Sequence, residues 1–257
     1  MGAGWKARIN GTGIMMFKFY RFKTLDSTNN KAKEFANKEL YNLVVIAEKQ
    51  TKGKGRFKRK WSSDLGGLYM TIVLRVKNID KIKYLTFIAA ISVARTINKL
   101  AKLNSKVKWP NDVLVDEKKI CGILTETISG KENYALVGIG VNVNQQKFPK
   151  NIINKSISLF LRINKKFNIE KISKLIIKEF NNLYQYYKNE NYKKILEIWK
   201  KNSHTLGKEV KAKTLSGTFA GKAVGVDKNC NLILRLKNGK IKKIIEGDIF
   251  YQKQRKS

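Results

Sequence analysis

The chain is expected to fold as an α+β protein: a mixed β-sheet with helices packed on one face, followed by a small SH3-like β-barrel. Three observations predict this. Short apolar runs with strand character alternate with stretches of helical period over residues 17–204. Several of those runs are joined by turns too short for a helical crossover, which requires antiparallel pairs inside the sheet. After His204 the texture changes to short strands separated by turn residues. The length of 257 residues accommodates one large and one small domain, placed at 15–204 and 205–257. Residues 1–14 are rich in glycine, precede possible starts at Met15 and Met16, and are expected to lie outside the fold as a leader.

Each element has its own signal. Residues 17–25 alternate aromatic and basic side chains, the period of a strand. Asp26-Ser27-Thr28-Asn29 is a cluster of capping side chains ahead of a helix over 32–40. Compact apolar strands follow at 43–48 and 68–74, then a long helix over 84–100 that is apolar on most faces. A short strand at 107–109 stops at Pro110. Residues 113–115 and 120–126 form a hairpin turning at Asp116-Glu117-Lys118, and 134–143 supply the last strand of the larger sheet. Ile169, Ile172, Ile176, Phe180, Leu183 and Tyr187 recur at intervals of three and four, marking an amphipathic helix, and 192–201 add a second. The barrel strands are expected at 210–213, 219–226, 232–236 and 241–245, with Asn238-Gly239 as a strong hairpin marker.

Composition excludes several classes. The chain has 54 Lys and Arg against 19 Asp and Glu, a formal charge of +35. Only nine of those cations are Arg, and the lysines are spread over the whole length. Such a profile speaks for anionic ligands generally and weakly for a specific nucleic acid. Cys121 and Cys230 are the only cysteines and His204 the only histidine, so no zinc or iron–sulfur spacing exists. Two cysteines make no disulfide framework, which suits a reducing cytoplasm. No apolar run reaches transmembrane length.

Four segments carry chemistry. Gly53-Lys-Gly-Arg-Phe-Lys-Arg-Lys-Trp61 sets two glycines inside a run of cations and closes on a large aromatic. The glycines permit positive φ and close approach of backbone to ligand, and Trp61 offers a face for stacking on a heterocycle. A nucleotide suits such a loop; an ordinary solvated basic turn is the competing reading. Lys108-Trp-Pro-Asn-Asp112 presents a cation, an amide and a carboxylate at one corner, a set that binds phosphate and Mg²⁺, although a plain Pro-Asn-Asp turn has the same letters. In Lys118 to Glu126, Lys119 stands at the mouth of an apolar strand and Gly122 leaves room for a ligand. Gly138-Ile-Gly-Val-Asn142 is a weak glycine motif with no helix after it, and no Walker A sequence occurs anywhere.

In this order and spacing the segments resemble the biotin–protein ligases. That family shows Ser-Thr-Asn after the first strand, a Gly-Arg-Gly-Arg-x-x-Arg-x-Trp loop, Lys-Trp-Pro-Asn-Asp, a Lys-x-x-Gly-Ile-Leu strand and a late Gly-x-Gly-x-Asn strand. Ser27-Thr28-Asn29, Gly53 to Trp61, Lys108 to Asp112, Lys119 to Leu124 and Gly138 to Asn142 match it, and the likeness spans residues 17–251. The resemblance implies a fold of the class II aminoacyl-tRNA synthetase and biotin ligase type. It also implies a two-step reaction, in which biotin and ATP give biotinyl-5′-AMP and a lysine of a biotin carboxyl carrier protein or domain then takes the biotin.

By the same resemblance, Lys119 and Arg56 are the catalytic cations. Biotin would lie against Ser27, Thr28, Asn29, Gln50, Gly53, Lys54, Arg56, Lys119 and Gly122. ATP and the adenylate would contact Gly53, Lys54, Gly55, Arg56, Arg59, Trp61, Lys108, Asn111 and Asn142, with Asp112 holding Mg²⁺. A cytoplasmic homodimer is implied, with no membrane and no specific nucleic acid. Only some sixteen residues precede the first strand, too few for the DNA-binding domain of family members that repress transcription.

Two departures stand out. Lys54 replaces the first loop arginine, keeping the charge and losing the bidentate fork. Lys58 stands where some members have glycine, so a stiffer loop is expected. The competing functions are a lipoate or octanoyl ligase of the same fold and a nucleic-acid-binding module. The first lacks the basic glycine loop and the Lys-Trp-Pro-Asn-Asp corner, and the second would need base-reading motifs that are absent here.

Overall fold

The computed structural model describes residues 17–251; the expected leader at 1–14 lies outside them. Two sheets organise the chain. The larger is built from β1 (Lys18–Leu25), β2 (Leu43–Gln50), β3 (Leu68–Arg75), β4 (Lys106–Lys108), β5 (Asp112–Val115), β6 (Lys118–Ile128) and β7 (Tyr134–Val141). Their spatial order is β1-β2-β3-β7-β6-β5-β4. Only β1 and β2 run parallel, joined across a sheet face by α1 (Thr28–Asn37). The remaining neighbours are antiparallel: β4 to β7 follow one another along the chain, residues 51–67 join β2 to β3, and β3 meets β7 only after the chain has passed through α2 and β4 to β6. The β5–β6 turn uses Asp116 and Glu117 at φ 47° and 63°, and Lys118 already belongs to β6.

Helices cover both faces, which corrects the expectation of one. Val44, Ile46, Ile72, Leu74 and Val137 point into a core shared with α2 (Ile82–Ala101), α4 (Ile169–Lys188) and α5 (Tyr192–Asn202). Their neighbours Leu43, Val45, Val73 and Leu136 point the other way, under Ala32 and Ala36 of α1. The central strands β3 and β7 are accordingly buried almost throughout. Strands buried on both sides read as unbroken apolar runs, and that was the available signal for two-sided cover. On the α2 side, Phe87 and Trp199 stack with ring centroids 4.4 Å apart, adding about 0.5–1.5 kcal/mol beyond area burial.

The C-terminal sheet is antiparallel throughout, in the order β11-β10-β9-β8-β12. It comprises β8 (Glu209–Thr214), β9 (Gly217–Val226), β10 (Leu232–Leu236), β11 (Ile241–Ile244) and β12 (Asp248–Tyr251). Gly239 takes φ 80° in the β10–β11 turn, the left-handed geometry that Asn-Gly favours. The strand β12 and the short α3 (Leu159–Ile163) were not anticipated; each is too brief to show a period. Trp109, fully buried, fastens the two parts: its Nε1 donates to Cys230 O at 2.9 Å and its amide to Thr205 Oγ1 at 3.0 Å.

Candidate active site

On the α1 face, beyond the end of the helix, lies a pocket of about 230 Å³. Its floor exists because glycines alternate along one side of β6 and β7. Gly122 pairs with Gly140 and Leu124 with Gly138. A Cβ on Gly138 would sit 2.4 Å from Asn29 Oδ1, and one on Gly140 would sit 2.5 Å from Trp61 Nε1. A Cβ on Gly122 would meet both Trp61 and Lys119 at 3.0–3.2 Å. Along β7 the same face passes from Leu136, covered by α1, to Gly138 under Asn29 and Gly140 under Trp61.

The inner wall is polar. The helix α1 starts at Thr28, earlier than expected, and the buried Ser27 occupies its N-cap without a side-chain cap bond. Gln50 takes over that duty: its Oε1 accepts from Thr28 N at 2.8 Å and Thr28 Oγ1 at 3.0 Å. Its Nε2 donates to Ser63 Oγ at 2.9 Å, which in turn donates to Trp61 O at 3.0 Å. Asn29 Nδ2 donates to Glu126 Oε2 at 2.5 Å, and the Thr71 hydroxyl lies 2.6 Å from Asn29 Oδ1. Ser27, Thr28, Asn29 and Gln50 all line the pocket.

The glycine loop closes as a small hairpin. Trp61 N donates to Gly53 O at 2.9 Å and Gly55 N to Arg59 O at 2.7 Å. The expected positive φ at the two glycines is not found. Gly55 is extended (φ −117°), Gly53 is not among the positive-φ residues, and the left-handed positions are Phe57 (φ 53°) and Lys58 (φ 58°). Gly53 is needed for close approach instead, since a Cβ there would lie 2.3 Å from Ser63 Oγ. Lys54 Nζ leaves the centre of the site and donates to Asn30 Oδ1 at 2.7 Å, with Asn30 bonded in turn to Asp26. The Trp61 indole lies on the Gly122–Gly140 floor with Nε1 buried and unpartnered among the described residues.

Opposite the polar wall is a charged corner. Lys119 Nζ sits 2.6 Å from Asp112 Oδ1 and 5.1 Å from the Trp61 ring centroid. Arg56 donates to Asn111 Oδ1 at 3.1 Å and to Gly247 O at 3.2 Å. Burial lowers the Arg56 guanidinium from its usual value, opposed by the charges of Asp248, Asp112 and Glu246. Arg59 bonds to Asp248. Burial pulls the Asp248 carboxyl up, but that hydrogen bond and the charges of Arg59, Arg56 and Lys108 hold it below the usual carboxylate range.

Lys108 does not join this corner. It pairs with Asp112 along the β4–β5 ladder, yet its Nζ lies 5.2 Å from the Tyr251 ring and forms no part of the pocket wall. Burial lowers its pKa, Lys119 lowers it further and Asp112 opposes both. Asn142, buried at the pocket edge, donates to Ile157 O at 3.1 Å. Among the described residues no three metal-ligating side chains cluster. Asp112 and Asp248 both line the pocket, which fits a Mg²⁺ that arrives with phosphate oxygens of its own. Sequence reasoning missed Asp248, which comes from the unanticipated strand β12; it also missed Gly247, Glu126 and Thr71.

One pocket therefore joins a hydrogen-bonding end, an apolar glycine floor and a corner of cations. Comparisons with known proteins agree with that arrangement. Residues 21–144 match the family model described as Biotin/lipoate A/B protein ligase family, and 205–251 match the one described as Biotin protein ligase C terminal domain. The bifunctional ligase/repressor BirA of Bacillus subtilis is 36% identical over 232 residues, 88% of this chain and 71% of the relative. The chain belongs to the biotin–protein ligase family. Its Escherichia coli relative of the same name is 26% identical over 88% of this chain and 71% of that one. The solved biotin protein ligase from Aquifex aeolicus in complex with biotin and ATP superposes with a TM-score of 0.81 at 30% identity, covering 91% of this chain and 98% of that one. The mixed sheet and separate five-stranded C-terminal sheet are thus the fold of this enzyme family.

Proposed function

We propose that this chain activates biotin with ATP to biotinyl-5′-AMP and passes the biotin to a lysine of a biotin carboxyl carrier domain. One observation carries the reading: a single pocket joins the Ser27–Gln50 polar wall to a corner that holds Lys119, Arg56 and Arg59. The ureido head of biotin has donors and acceptors that match Ser27, Thr28, Asn29 and Gln50. The apolar dithiolane of lipoate has no groups to exchange hydrogen bonds with that wall, so it would forgo the pairing a ureido head makes there. This supports biotin over the lipoate branch of the family.

In the first step two anions must meet. Lys119 and Arg56 offset their repulsion and stabilise charge developing on the α-phosphate oxygens as the carboxylate attacks and pyrophosphate leaves. Arg59 and the backbone at Gly53 and Gly55 hold the nucleotide, Trp61 and Asn142 border its base, and Gly122 leaves space beside Lys119. Asn111 keeps Arg56 in place. Mg²⁺ held by Asp112 would neutralise charge on the polyphosphate. The hairpin of residues 53–61 acts as a lid that keeps water from the anhydride. Lys54 anchors the lid to α1 in place of gripping phosphate, and Lys108 acts from behind Asp112 through its charge.

Residues 15–204 are proposed as the catalytic domain and 205–257 as the barrel domain. β1 ends the larger sheet with no outer neighbour among the described residues, which supports pairing of two copies as a homodimer. A cytoplasmic site of action is proposed from the two buried free cysteines. No helix among the described residues is long and apolar enough to cross a membrane. A streptavidin blot of a carrier domain incubated with this chain, biotin and Mg-ATP tests the function. A biotinylated carrier band that requires ATP is expected; its absence with a competent carrier would refute the proposal.

A further inference from the structure

Behind the polar wall, one hydroxyl proton serves two acceptors. The Thr71 hydroxyl, fully buried, lies 2.8 Å from Thr28 Oγ1 and 2.6 Å from Asn29 Oδ1. It can donate to only one of them. Thr28 has no proton to spare, because its own hydroxyl donates to Gln50 Oε1 at 3.0 Å. Asn29 has none either: its Nδ2 faces away, donating to Glu126 Oε2 at 2.5 Å and toward Leu124 O at 3.4 Å. One oxygen of the pair therefore always lacks this donor. Thr28 and Asn29 are only 4% and 5% exposed, and both line the pocket. A Cβ on Gly138 would sit 2.4 Å from Asn29 Oδ1, so that oxygen lies over the glycine floor. A buried acceptor without a donor is costly, and a guest that brings an N–H relieves the cost.

Glu126 decides this polarity. It is half-buried on β6 and pairs with Leu136 in the ladder, which puts it on the α1 face. A carboxylate accepts and does not donate. The nitrogen of the Asn29 amide must therefore turn toward Glu126 and the oxygen toward Thr71. With the amide reversed, Asn29 Nδ2 would donate to Thr71 Oγ1 and Thr71 to Thr28 Oγ1. Both oxygens on the pocket side would then be paired. Resting on the ligase reading, we propose that Glu126 is a positioning residue that sets specificity: through Asn29 it keeps the wall one proton short, and so selects a ring that carries N–H donors. A cyclic urea supplies them. A dithiolane does not, nor does a ring in which oxygen replaces an N–H. Glu126 does not itself line the pocket, so its effect passes through Asn29.

Glu126→Met removes the acceptor at equal side-chain length. The biotin KM should rise at least about tenfold, with kcat and the ATP KM within about twofold of the parent. Glu126→Gln keeps an oxygen beside Asn29 Nδ2 and should bring the biotin KM back to within about threefold. A ligand analogue separates this role from a merely structural one. The cyclic carbamate analogue of biotin, with one ureido N–H replaced by oxygen, should bind the parent at least about tenfold more weakly than biotin. Calorimetric titration should show that gap shrinking to about threefold or less in Glu126→Met. If the methionine variant does not fold, Glu126→Val, whose β-branched side chain suits a strand, serves in its place. A parental biotin KM in the variant, or a gap that stays as wide as in the parent, overturns the inference while leaving the ligase reading intact. A parent that releases no pyrophosphate with biotin removes the ligase reading, and the inference with it.

Discussion

Lys58 holds a left-handed backbone (φ 58°) at the turn of the lid, directly after Phe57 at φ 53°. Such a conformation costs an L-residue roughly 1–2 kcal/mol, and glycine escapes most of it. The expected stiffening by Lys58 is therefore better described as a bias against the closed hairpin. Lys58→Gly should stabilise that hairpin by about 0.5–1 kcal/mol. Hydrogen exchange at the Gly55 and Trp61 amides, which bond to Arg59 O and Gly53 O, should slow about two- to fivefold. Unchanged or faster exchange would show that the turn carries no strain. Lys119→Ala addresses chemistry instead. Removing one preorganised cation typically costs on the order of a hundredfold or more in rate, so adenylate formation should collapse while the thermal midpoint holds. Parental rates of biotinyl-AMP formation would remove Lys119 from the mechanism. Both residues were legible in the sequence as members of motifs. The use of Gly53 was not, because close approach to Ser63 Oγ depends on a neighbour ten positions away that only folding brings near.

At the scale of elements, β7 sorts the site by the size of what lies above it. Gly138 sits beneath Asn29, and Gly140 beneath Trp61. Gly138→Ala would push against Asn29 Oδ1 and its contact with Thr71, at the proposed biotin end. Gly140→Ala would lift the Trp61 indole, at the proposed nucleotide end. The first variant should raise the biotin KM about tenfold with the ATP KM little changed, and the second should do the reverse. Steady-state kinetics in each substrate check this, and identical effects of the two changes would contradict the assignment of ends. The sequence marked these glycines as a weak motif because a Gly-x-Gly without a following helix has no dinucleotide role. Their value comes from pairing with β6, and register is not readable from a single strand. The same limit hid the side taken by α1. Its Ala32 and Ala36 make a narrow apolar stripe, which announces a helix without saying which face it covers.

In the whole molecule, the C-terminal sheet closes on the lid: Arg56 reaches Gly247 O and Arg59 reaches Asp248. The sequence announced the barrel through its turn residues but not this contact, since β12 spans only Asp248–Tyr251. The junction also holds His204, whose amide donates to Val107 O at 2.7 Å and whose ring meets Tyr251 edge-on at 5.0 Å. Burial, reinforced by Lys208, lowers its pKa below the ordinary 6.5, with Glu117 opposing. The unfolded chain therefore takes up the proton first as pH falls through 6.5, so stability present above that value is lost on acidification. The thermal midpoint should drop between about pH 7.5 and 5.5, and His204→Gln should flatten that drop; an unaltered slope in the variant would exclude His204 as its source. The central claim concerns the acid that the pocket activates. Pyrophosphate release from Mg-ATP, measured with biotin, lipoate and octanoate offered separately, tests it most directly. Release dependent on biotin, with the other two near background, is the predicted result; turnover with lipoate or octanoate and none with biotin would contradict it.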